Sequence, residues 1–221
     1  MNADRRKKIF KRLQRANPTP VTELRYETPF QLLVAVILSA QATDRSVNEA
    51  TRTLFEVAPD PSRIAALGLE GIKAHIRHIG LFNTKARNVL ETSRQLLALH
   101  SGQVPGSRTA LEALPGVGRK TANVVLNTAF GEPTIAVDTH IFRVANRTGL
   151  AAGNTVSAVE RKLIKVVPVE YRKNAHHWLI LHGRYVCTAR RPKCGQCILV
   201  DLCEYRGKVW HPCQAESLQP D

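Results

Sequence analysis

Four cysteines near the C-terminus constrain this chain more than any other feature of its sequence. They are Cys187, Cys194, Cys197 and Cys203, with the spacing C-x6-C-x2-C-x5-C, and arginine and lysine residues surround them. The segment has too few apolar neighbours to bury four thiols, which excludes a role as ordinary core residues. Disulfide bonds, a tetrathiolate zinc site and an iron–sulfur cluster are each compatible with four cysteines in so short a segment.

The chain also has a large excess of positive charge. Its 221 residues include 32 lysines and arginines against 18 acidic residues, which gives a formal net charge of +14. Such an excess favours a polyanionic partner, and nucleic acid fits this requirement best. The alternatives are attraction to an anionic membrane surface and a basic surface that is simply solvated.

Two observations predict a cytoplasmic protein. The basic N-terminus is not followed by the apolar segment of a secretory signal. The longest apolar run, Leu32 to Leu38, is far shorter than a membrane-spanning helix. Because the cytoplasm is reducing, metal ligation explains the four cysteines better than disulfide bonds do.

Nearly every segment has the apolar spacing of an amphipathic helix. Asn83 is a candidate N-cap for one of these helices, and Asp138 is a candidate N-cap for another that Gly149 ends. The only strand-like stretch, residues 134–137, is four residues long. The pattern therefore predicts an all-α protein.

The most specific segment after the cysteines is Leu114-Pro115-Gly116-Val117-Gly118-Arg119-Lys120-Thr121-Ala122. Pro115 prevents a preceding helix from continuing, and the two glycines permit a tight turn before a second helix. Backbone N–H groups beside a helix N-terminus form a site for phosphate. The segment therefore predicts a helix-hairpin-helix, which binds DNA without reading its sequence. An ordinary corner between two helices is the alternative, and the glycine spacing excludes a Walker A loop.

Two titratable residues are candidates for chemistry. Lys120 lies in the first turn of the second helix, where the helix dipole and Arg119 disfavour an ammonium and favour the neutral amine of a Schiff-base nucleophile. A simple phosphate contact explains Lys120 equally well. Asp138 follows 18 residues later, and a capping carboxylate at a helix start is also able to stabilise a cation or activate a nucleophile.

Residues 114–122, the element Val137-Asp138-Thr139-His140 and the four cysteines together resemble the endonuclease III family, bacterial DNA glycosylases with apurinic/apyrimidinic lyase activity. The resemblance extends over nearly the whole chain, from Arg6 to Trp210. It implies base excision repair of double-stranded DNA that contains oxidised pyrimidines or abasic sites. It also implies a monomer that associates with the nucleoid in the cytoplasm.

The resemblance implies a two-lobed helix-hairpin-helix glycosylase fold with a C-terminal iron–sulfur cluster loop. The six-helix lobe with the hairpin is expected over residues 22–132. The cluster lobe is expected to combine residues 1–21 with 133–211. Residues 212–221 are expected to form a disordered tail.

Carried onto this chain, the resemblance assigns catalysis to Lys120 and Asp138. Lys120 attacks the sugar C1′, expels the base and forms a Schiff base, after which β-elimination cuts the strand. Asp138 activates the nucleophile and stabilises the positive charge that develops on the sugar. Gln41 fills the space left by the flipped base, and Leu81 is a wedge that enters the opposite strand.

The remaining expected contacts are with the DNA backbone and the metal. The hairpin residues Gly116, Val117, Gly118 and Arg119 are expected to bind DNA. The four cysteines are expected to bind a [4Fe–4S] cluster, with zinc as the alternative. The cluster would order a loop in which Arg190, Arg191 and Lys193 contact phosphates. Cys213 and His211 depart from the family pattern, and Cys213 is expected to be an inert extra thiol.

Two other functions fit parts of this pattern. A mismatch-specific monofunctional glycosylase of the same fold has the cluster but generally lacks the nucleophilic lysine. A non-catalytic DNA-binding protein needs the hairpin and the basic loop, but not Lys120 and Asp138 together.

Overall fold

A computed structural model describes residues 1–210, and all regular structure in this range is helical, which confirms the predicted all-α class. The α-helices are α1 (Ala3–Ala16), α2 (Pro29–Leu38), α3 (Asp44–Val57), α4 (Pro61–Ile76), α5 (Phe82–His100), α6 (Arg108–Glu112), α7 (Arg119–Phe130), α8 (Thr139–Thr148), α9 (Val156–Val166) and α10 (Arg172–Tyr185). Short 3₁₀ turns occur at Val169–Tyr171 and Cys194–Gln196. His211, Cys213 and the predicted tail 212–221 lie outside the described residues.

Backbone contacts divide the chain into two compact units. One unit is Val21–Ala136 and contains α2 to α7. The other combines Met1–Pro20 with the chain from Val137 onward, and its helices are α1 and α8 to α10. None of the helices described is both long and apolar enough to cross a membrane.

The unit Val21–Ala136 is organised around α2, whose residues from Phe30 to Leu38 are all buried. Thr28 caps this helix by accepting a hydrogen bond from Gln31 N at 3.2 Å, and Pro29 occupies the first helical position. Helices α3, α5 and α7 pack against α2, and α4 packs against α3 and α5. A helix that is apolar on every side is stable only at the centre of a core, so α2 fixes the positions of the helices around it.

The start of α5 differs from the sequence prediction. The predicted N-cap Asn83 lies inside the helix, which begins at Phe82 after Leu81 as its N-cap. Leu81 adopts the left-handed conformation with φ 61°, and its carbonyl accepts a hydrogen bond from Lys85 N at 3.0 Å. The Asn83 prediction is wrong because the chain enters α5 two residues earlier, through a left-handed residue and not through the extended backbone of a capping Asn.

In the other unit, α1 buries one face and α10 packs against α8. The buried residues of α1 are Ile9, Phe10 and Leu13, and the Phe10 ring stacks on Tyr171 with centroids 5.7 Å apart. Gly183 permits a close approach of α10 to α8, since a Cβ at this position would lie 2.8 Å from the Cβ of His140. Asp138 and Gly149 delimit α8 as predicted.

Candidate active site

The predicted hairpin is formed by α6, a glycine turn and α7. Gly116 has φ 76°, in the left-handed region that favours glycine. Val117 N donates to the Leu114 carbonyl at 3.1 Å, which closes the turn. The Val117 side chain is only 6% exposed, so Val117 anchors the turn in the core, whereas Gly116, Gly118 and Arg119 are exposed.

Two side chains of helix α5 support this turn. The buried Thr92 hydroxyl donates to the Pro115 carbonyl at 2.9 Å. A Cβ on Gly116 would lie 2.6 Å from Asn88 Nδ2, so Gly116 is required by lack of space as well as by its backbone angle. Sequence reasoning missed Asn88 and Thr92 because a polar residue on an amphipathic helix carries no signal of its tertiary partner.

Two helices of the unit Val21–Ala136 lack the side-chain N-cap that its other helices have. The side chain of the N-cap residue accepts a backbone N–H in α2, α3, α4 and α6, whose N-caps are Thr28, Thr43, Asp60 and Ser107. The N-caps of α5 and α7 are instead Leu81 and Gly118, and neither helix has a side-chain cap. The first N–H groups of α7 are therefore available to an external anion.

Lys120 is the second residue of α7 and is exposed. The structure thus places Lys120 beside the exposed Arg119 and the glycine turn, at a helix start without a side-chain cap. Burial lowers the pKa of another lysine in this unit, Lys85, but that side chain is only 3% exposed and its amine is out of reach of a substrate. Lys120, in contrast, is exposed and follows directly after Arg119 at the start of α7.

Gln41 and Leu81 are exposed residues with left-handed backbone angles, φ 54° and 61°. Among the residues described, Ser101 is the only other non-glycine with positive φ, and it ends α5 as the C-cap. Leu81 is 59% exposed, so its conformation does not serve burial. Sparsely populated angles of this kind cost about 1–3 kcal/mol and concentrate at functional sites. Both residues therefore combine an unfavourable backbone angle with an exposed side chain.

Asp138 caps α8, as the sequence predicted, and three donors hold its carboxylate. Oδ1 accepts hydrogen bonds from His140 N at 2.9 Å and Ile141 N at 2.8 Å. Oδ2 lies 2.9 Å from His140 Nδ1, which carries the proton because a carboxylate only accepts. The Asp138 side chain is 9% exposed. Asp138 belongs to the unit that combines Met1–Pro20 with the chain after Ala136, and Lys120 belongs to Val21–Ala136.

The four cysteines line one cavity, together with His182 and Leu199. All four are free and partly buried. Four thiols around a cavity are a donor set for an iron–sulfur cluster, which is bound by cysteine thiolates. Burial raises the pKa of Cys197 to about 11, so at neutral pH this thiol keeps its proton until a metal group displaces it. Leu199 N lies 3.4 Å from Cys197 Sγ and supplies a donor to the thiolate.

Two arginines of α8 hold the first part of the cysteine loop. Arg143 Nε donates to the Cys187 carbonyl at 2.7 Å, and Arg147 donates to the carbonyls of Thr188 and Ala189 at 2.7 and 2.9 Å. Sequence reasoning missed this pair, since two arginines four residues apart are also typical of a solvated helix face. Beyond these anchors Arg190, Arg191 and Lys193 are exposed.

His182 also contacts this site. Its Nε2 lies 3.6 Å from Cys197 Sγ. Burial lowers the pKa of His182 to about 4, so the imidazole is neutral at neutral pH. The cysteines therefore share their cavity with an uncharged ring and with the basic side chains of Arg147 and Lys208.

Two family models match the sequence. Residues 34–169 match the HhH-GPD superfamily base excision DNA repair proteins. Residues 187–203 match the iron–sulfur binding domain of endonuclease III. The first match contains the hairpin, Lys120 and Asp138, and the second begins and ends at the outer cysteines of the cavity.

Relatives and solved structures agree with these matches. Endonuclease III of Haemophilus influenzae is 64% identical over 95% of this chain and 99% of its own length. Endonuclease III of Escherichia coli strain K12 is 62% identical over the same shares. The fold is similar to a trapped covalent endonuclease III–DNA intermediate, with a TM-score of 0.86, 42% identity, and coverage of 92% of this chain and 96% of that chain. A thermostable thymine-DNA glycosylase is more distant, with a TM-score of 0.80, 25% identity, and coverage of 91% and 96%.

These findings decide between the open alternatives. The chain is a DNA-binding enzyme of base excision repair, a glycosylase with lyase activity, and its cofactor is a [4Fe–4S] cluster in place of the zinc alternative. The predicted helix-hairpin-helix is confirmed. By its full-length similarity to the relatives and by both family matches, the chain belongs to the endonuclease III family of the HhH-GPD superfamily.

Proposed function

We propose that this enzyme removes oxidised pyrimidines from double-stranded DNA and cuts the resulting abasic strand, with Lys120 as the nucleophile. The observation that carries the proposal is the exposed amine of Lys120 in the first turn of α7, next to a glycine turn and without a side-chain cap. A phosphate bound at this helix start would place the neighbouring sugar within reach of the amine.

The reaction begins with extrusion of the damaged base, which costs a few kcal/mol and is least at lesions that already pair or stack poorly. The strained, exposed Leu81 suits a wedge in the opposite strand, and Gln41 suits the gap left by the base. The left-handed backbone fixes the direction in which each side chain leaves the main chain before DNA binds.

Lys120 then forms a bond from Nζ to C1′ while the glycosidic bond breaks and its electron pair leaves with the base. The sugar ring opens to give a Schiff base. Loss of a proton from C2′ followed by cleavage of the C3′–O bond cuts the strand on the 3′ side. Hydrolysis of the Schiff base returns the free amine.

Asp138 is assigned the stabilisation of positive charge on the sugar and activation of the amine. The three donors around its carboxylate fix the orientation of that charge before the reaction, and a preoriented charge requires no reorganisation in the transition state. His140 orients Oδ2, and the α8 backbone orients Oδ1.

The basic loop completes the proposed DNA contacts. The four cysteines are assigned as cluster ligands, and the bound cluster cross-links their thiolates. Arg190, Arg191 and Lys193 would then contact phosphates from an ordered loop. We assign the hairpin to a lobe of residues 22–132 and the cluster to a lobe of 1–21 with 133–211. The enzyme is proposed to act as a monomer at the nucleoid.

Borohydride trapping tests the role of Lys120. Reduction of the Schiff base on an abasic duplex converts it to a stable protein–DNA adduct, which is expected for the parent protein and absent for Lys120→Ala. Lys165→Ala, which removes an exposed lysine from α9, is the matched control and should trap like the parent. An adduct that persists in Lys120→Ala would contradict the assignment.

The same experiment separates the rival functions. A mismatch-specific monofunctional glycosylase would release a base without forming an adduct. A non-catalytic DNA-binding protein would do neither. A panel of duplexes with oxidised pyrimidines, a mismatch or an undamaged control tests the substrate class, and preference for the mismatch would contradict the proposal.

A further inference from the structure

Helix α1 is firmly fixed within its unit. Its buried face packs Phe10 against the ring of Tyr171. At its C-terminal end, the Asn17 carbonyl accepts a hydrogen bond from Trp178 Nε1 at 2.8 Å. These two contacts attach α1 to Tyr171, which directly precedes α10, and to Trp178 in the middle of α10. Helix α1 is therefore a rigid support for the side chains on its other faces.

Arg12 of α1 holds the segment that connects the third and fourth cysteines. Its Nη2 donates to Asp201 Oδ2 at 2.9 Å, while Nη1 donates to Asp201 Oδ1. Nη1 also donates to the Ile198 carbonyl at 2.7 Å. This two-pronged contact with a carboxylate fixes the orientation of both side chains and belongs to the stronger class of hydrogen bonds.

Arg5 makes a second contact with the same segment. Its Nη2 donates to the Leu202 carbonyl at 3.1 Å and lies 3.4 Å from the Asp201 carbonyl. Arg5 precedes Arg12 by seven residues, which is about two helical turns, so both arginines project from the same side of α1.

The segment Ile198–Leu202 itself forms part of the cluster cavity. Leu199 and Val200 line the cavity together with Cys197 and Cys203, which flank the segment. If the segment moves outward, two thiols separate and the cavity opens to solvent. The contacts of α1 oppose this movement.

We propose that Arg5 and Arg12 are positioning residues that retain the iron–sulfur cluster by clasping the Ile198–Leu202 segment. The clasp is the counterpart of the α8 arginines, which hold the loop after Cys187. Each end of the cysteine motif is therefore fixed by a pair of arginines from a helix. This role is separate from the chemistry assigned to Lys120.

Cluster retention is the direct test. The cluster-loaded protein is placed in aerobic buffer with an iron chelator, and the rate at which its visible absorption decays is measured. Arg12→Ala should lose the cluster about threefold faster than the parent, and Arg5→Ala combined with Arg12→Ala about tenfold faster. Lys11→Ala removes an adjacent exposed charge from the same helix and should decay at the parent rate.

An exchange of charges distinguishes the clasp from a general effect on α1. Arg12→Asp and Asp201→Arg should each accelerate the loss, and the combination should recover much of the parent rate because the ion pair is restored. High salt should bring the parent toward the Arg12→Ala rate, since the pair is partly exposed and is screened.

The outcomes against the proposal are equally specific. Equal decay of the parent and the double variant, or equal acceleration by Lys11→Ala, would overturn it. If circular dichroism shows that the Arg5→Ala, Arg12→Ala variant is unfolded, the charge exchange decides. Failure of the combined Arg12→Asp, Asp201→Arg variant to recover the slow decay of the parent then overturns the clasp. Lys120→Ala should leave every decay rate unchanged, so failure of the clasp and failure of the proposed chemistry are distinguishable.

Discussion

The Asp138 carboxylate serves the fold and the proposed chemistry at the same time. Oδ1 satisfies two N–H groups at the start of α8, and Oδ2 is oriented by His140. Capping requires only an acceptor at Oδ1, whereas stabilisation of a developing cation requires the negative charge. The two roles therefore separate when the charge is removed without changing the shape.

Asp138→Asn and Asp138→Ala test this separation. Asn is as good an N-cap as Asp, so Asp138→Asn should unfold at nearly the parent temperature and bind DNA, with turnover reduced by orders of magnitude. Asp138→Ala should lose the charge and also about 1 kcal/mol of unfolding free energy, because the cap is removed. Single-turnover base release and thermal unfolding measure the two effects. Parent-like turnover in Asp138→Asn would remove Asp138 from catalysis.

Sequence patterns predict some residues in this site and miss others for identifiable reasons. The cap at Asp138 and the left-handed turn at Gly116 follow from local chemistry, since capping and positive φ each favour particular residue types. Leu81 has a left-handed angle that leucine does not favour, and a local rule placed the cap at Asn83 instead. A residue held in a strained conformation by its surroundings is not predictable from its own preference.

At the scale of secondary structure, α5 connects two of the proposed DNA contacts. It begins directly after Leu81 and continues past Asn88 and Thr92, which support the glycine turn. A single helix therefore sets the spacing between the proposed wedge and the phosphate-binding hairpin. The backbone hydrogen bonds of α5 do not depend on the Thr92 hydroxyl. Loss of this hydroxyl should therefore affect the hairpin and leave α5 in place.

Thr92→Val tests the support of the hairpin. The substitution keeps the shape of the side chain but removes the hydroxyl that donates to the Pro115 carbonyl, which should cost about 1 kcal/mol of stability. Affinity for an uncleavable abasic analogue should fall, since the turn N–H groups are no longer held toward a phosphate. Fluorescence anisotropy measures this affinity.

Ser93→Ala is the matched control on the same helix. Ser93 is also fully buried, but its hydroxyl donates at 2.8 Å to the Val89 carbonyl, within α5. This substitution should affect stability without weakening DNA binding. An equal loss of affinity in both variants would show that general destabilisation, and not the support of the turn, is responsible.

Contacts between distant elements limit what the sequence alone could predict. The helical stripes and the glycine turn are local patterns, and they gave the all-α class and the hairpin. Arg5 contacts the carbonyl of Leu202, 197 residues later in the chain, and nothing near either residue indicates the other. Backbone carbonyls accept from any donor, so such contacts leave no matching residue type in the sequence.

At the scale of the whole molecule, the net charge of +14 does not identify which cations contact DNA. Several of these cationic side chains make hydrogen bonds inside the protein. Arg143 and Arg147, for example, donate to backbone carbonyls of the cysteine loop. Arg190, Arg191 and Lys193 are exposed on the loop that these two arginines hold. Charge that is both exposed and fixed in position is suited to phosphate contacts, since less side-chain and loop freedom is lost on binding.

The salt dependence of DNA binding tests this division of the charge. Each phosphate contact contributes about 0.9 to the slope of log affinity against log salt concentration, so replacing Arg190, Arg191 and Lys193 together by Ala should reduce the slope by roughly 2.7. The control replaces Arg161, Lys162 and Lys165 of α9, which lowers the net charge by the same amount. If net charge alone steers binding, both triple variants will change the slope equally. If the loop contacts phosphates, only the loop variant will change it.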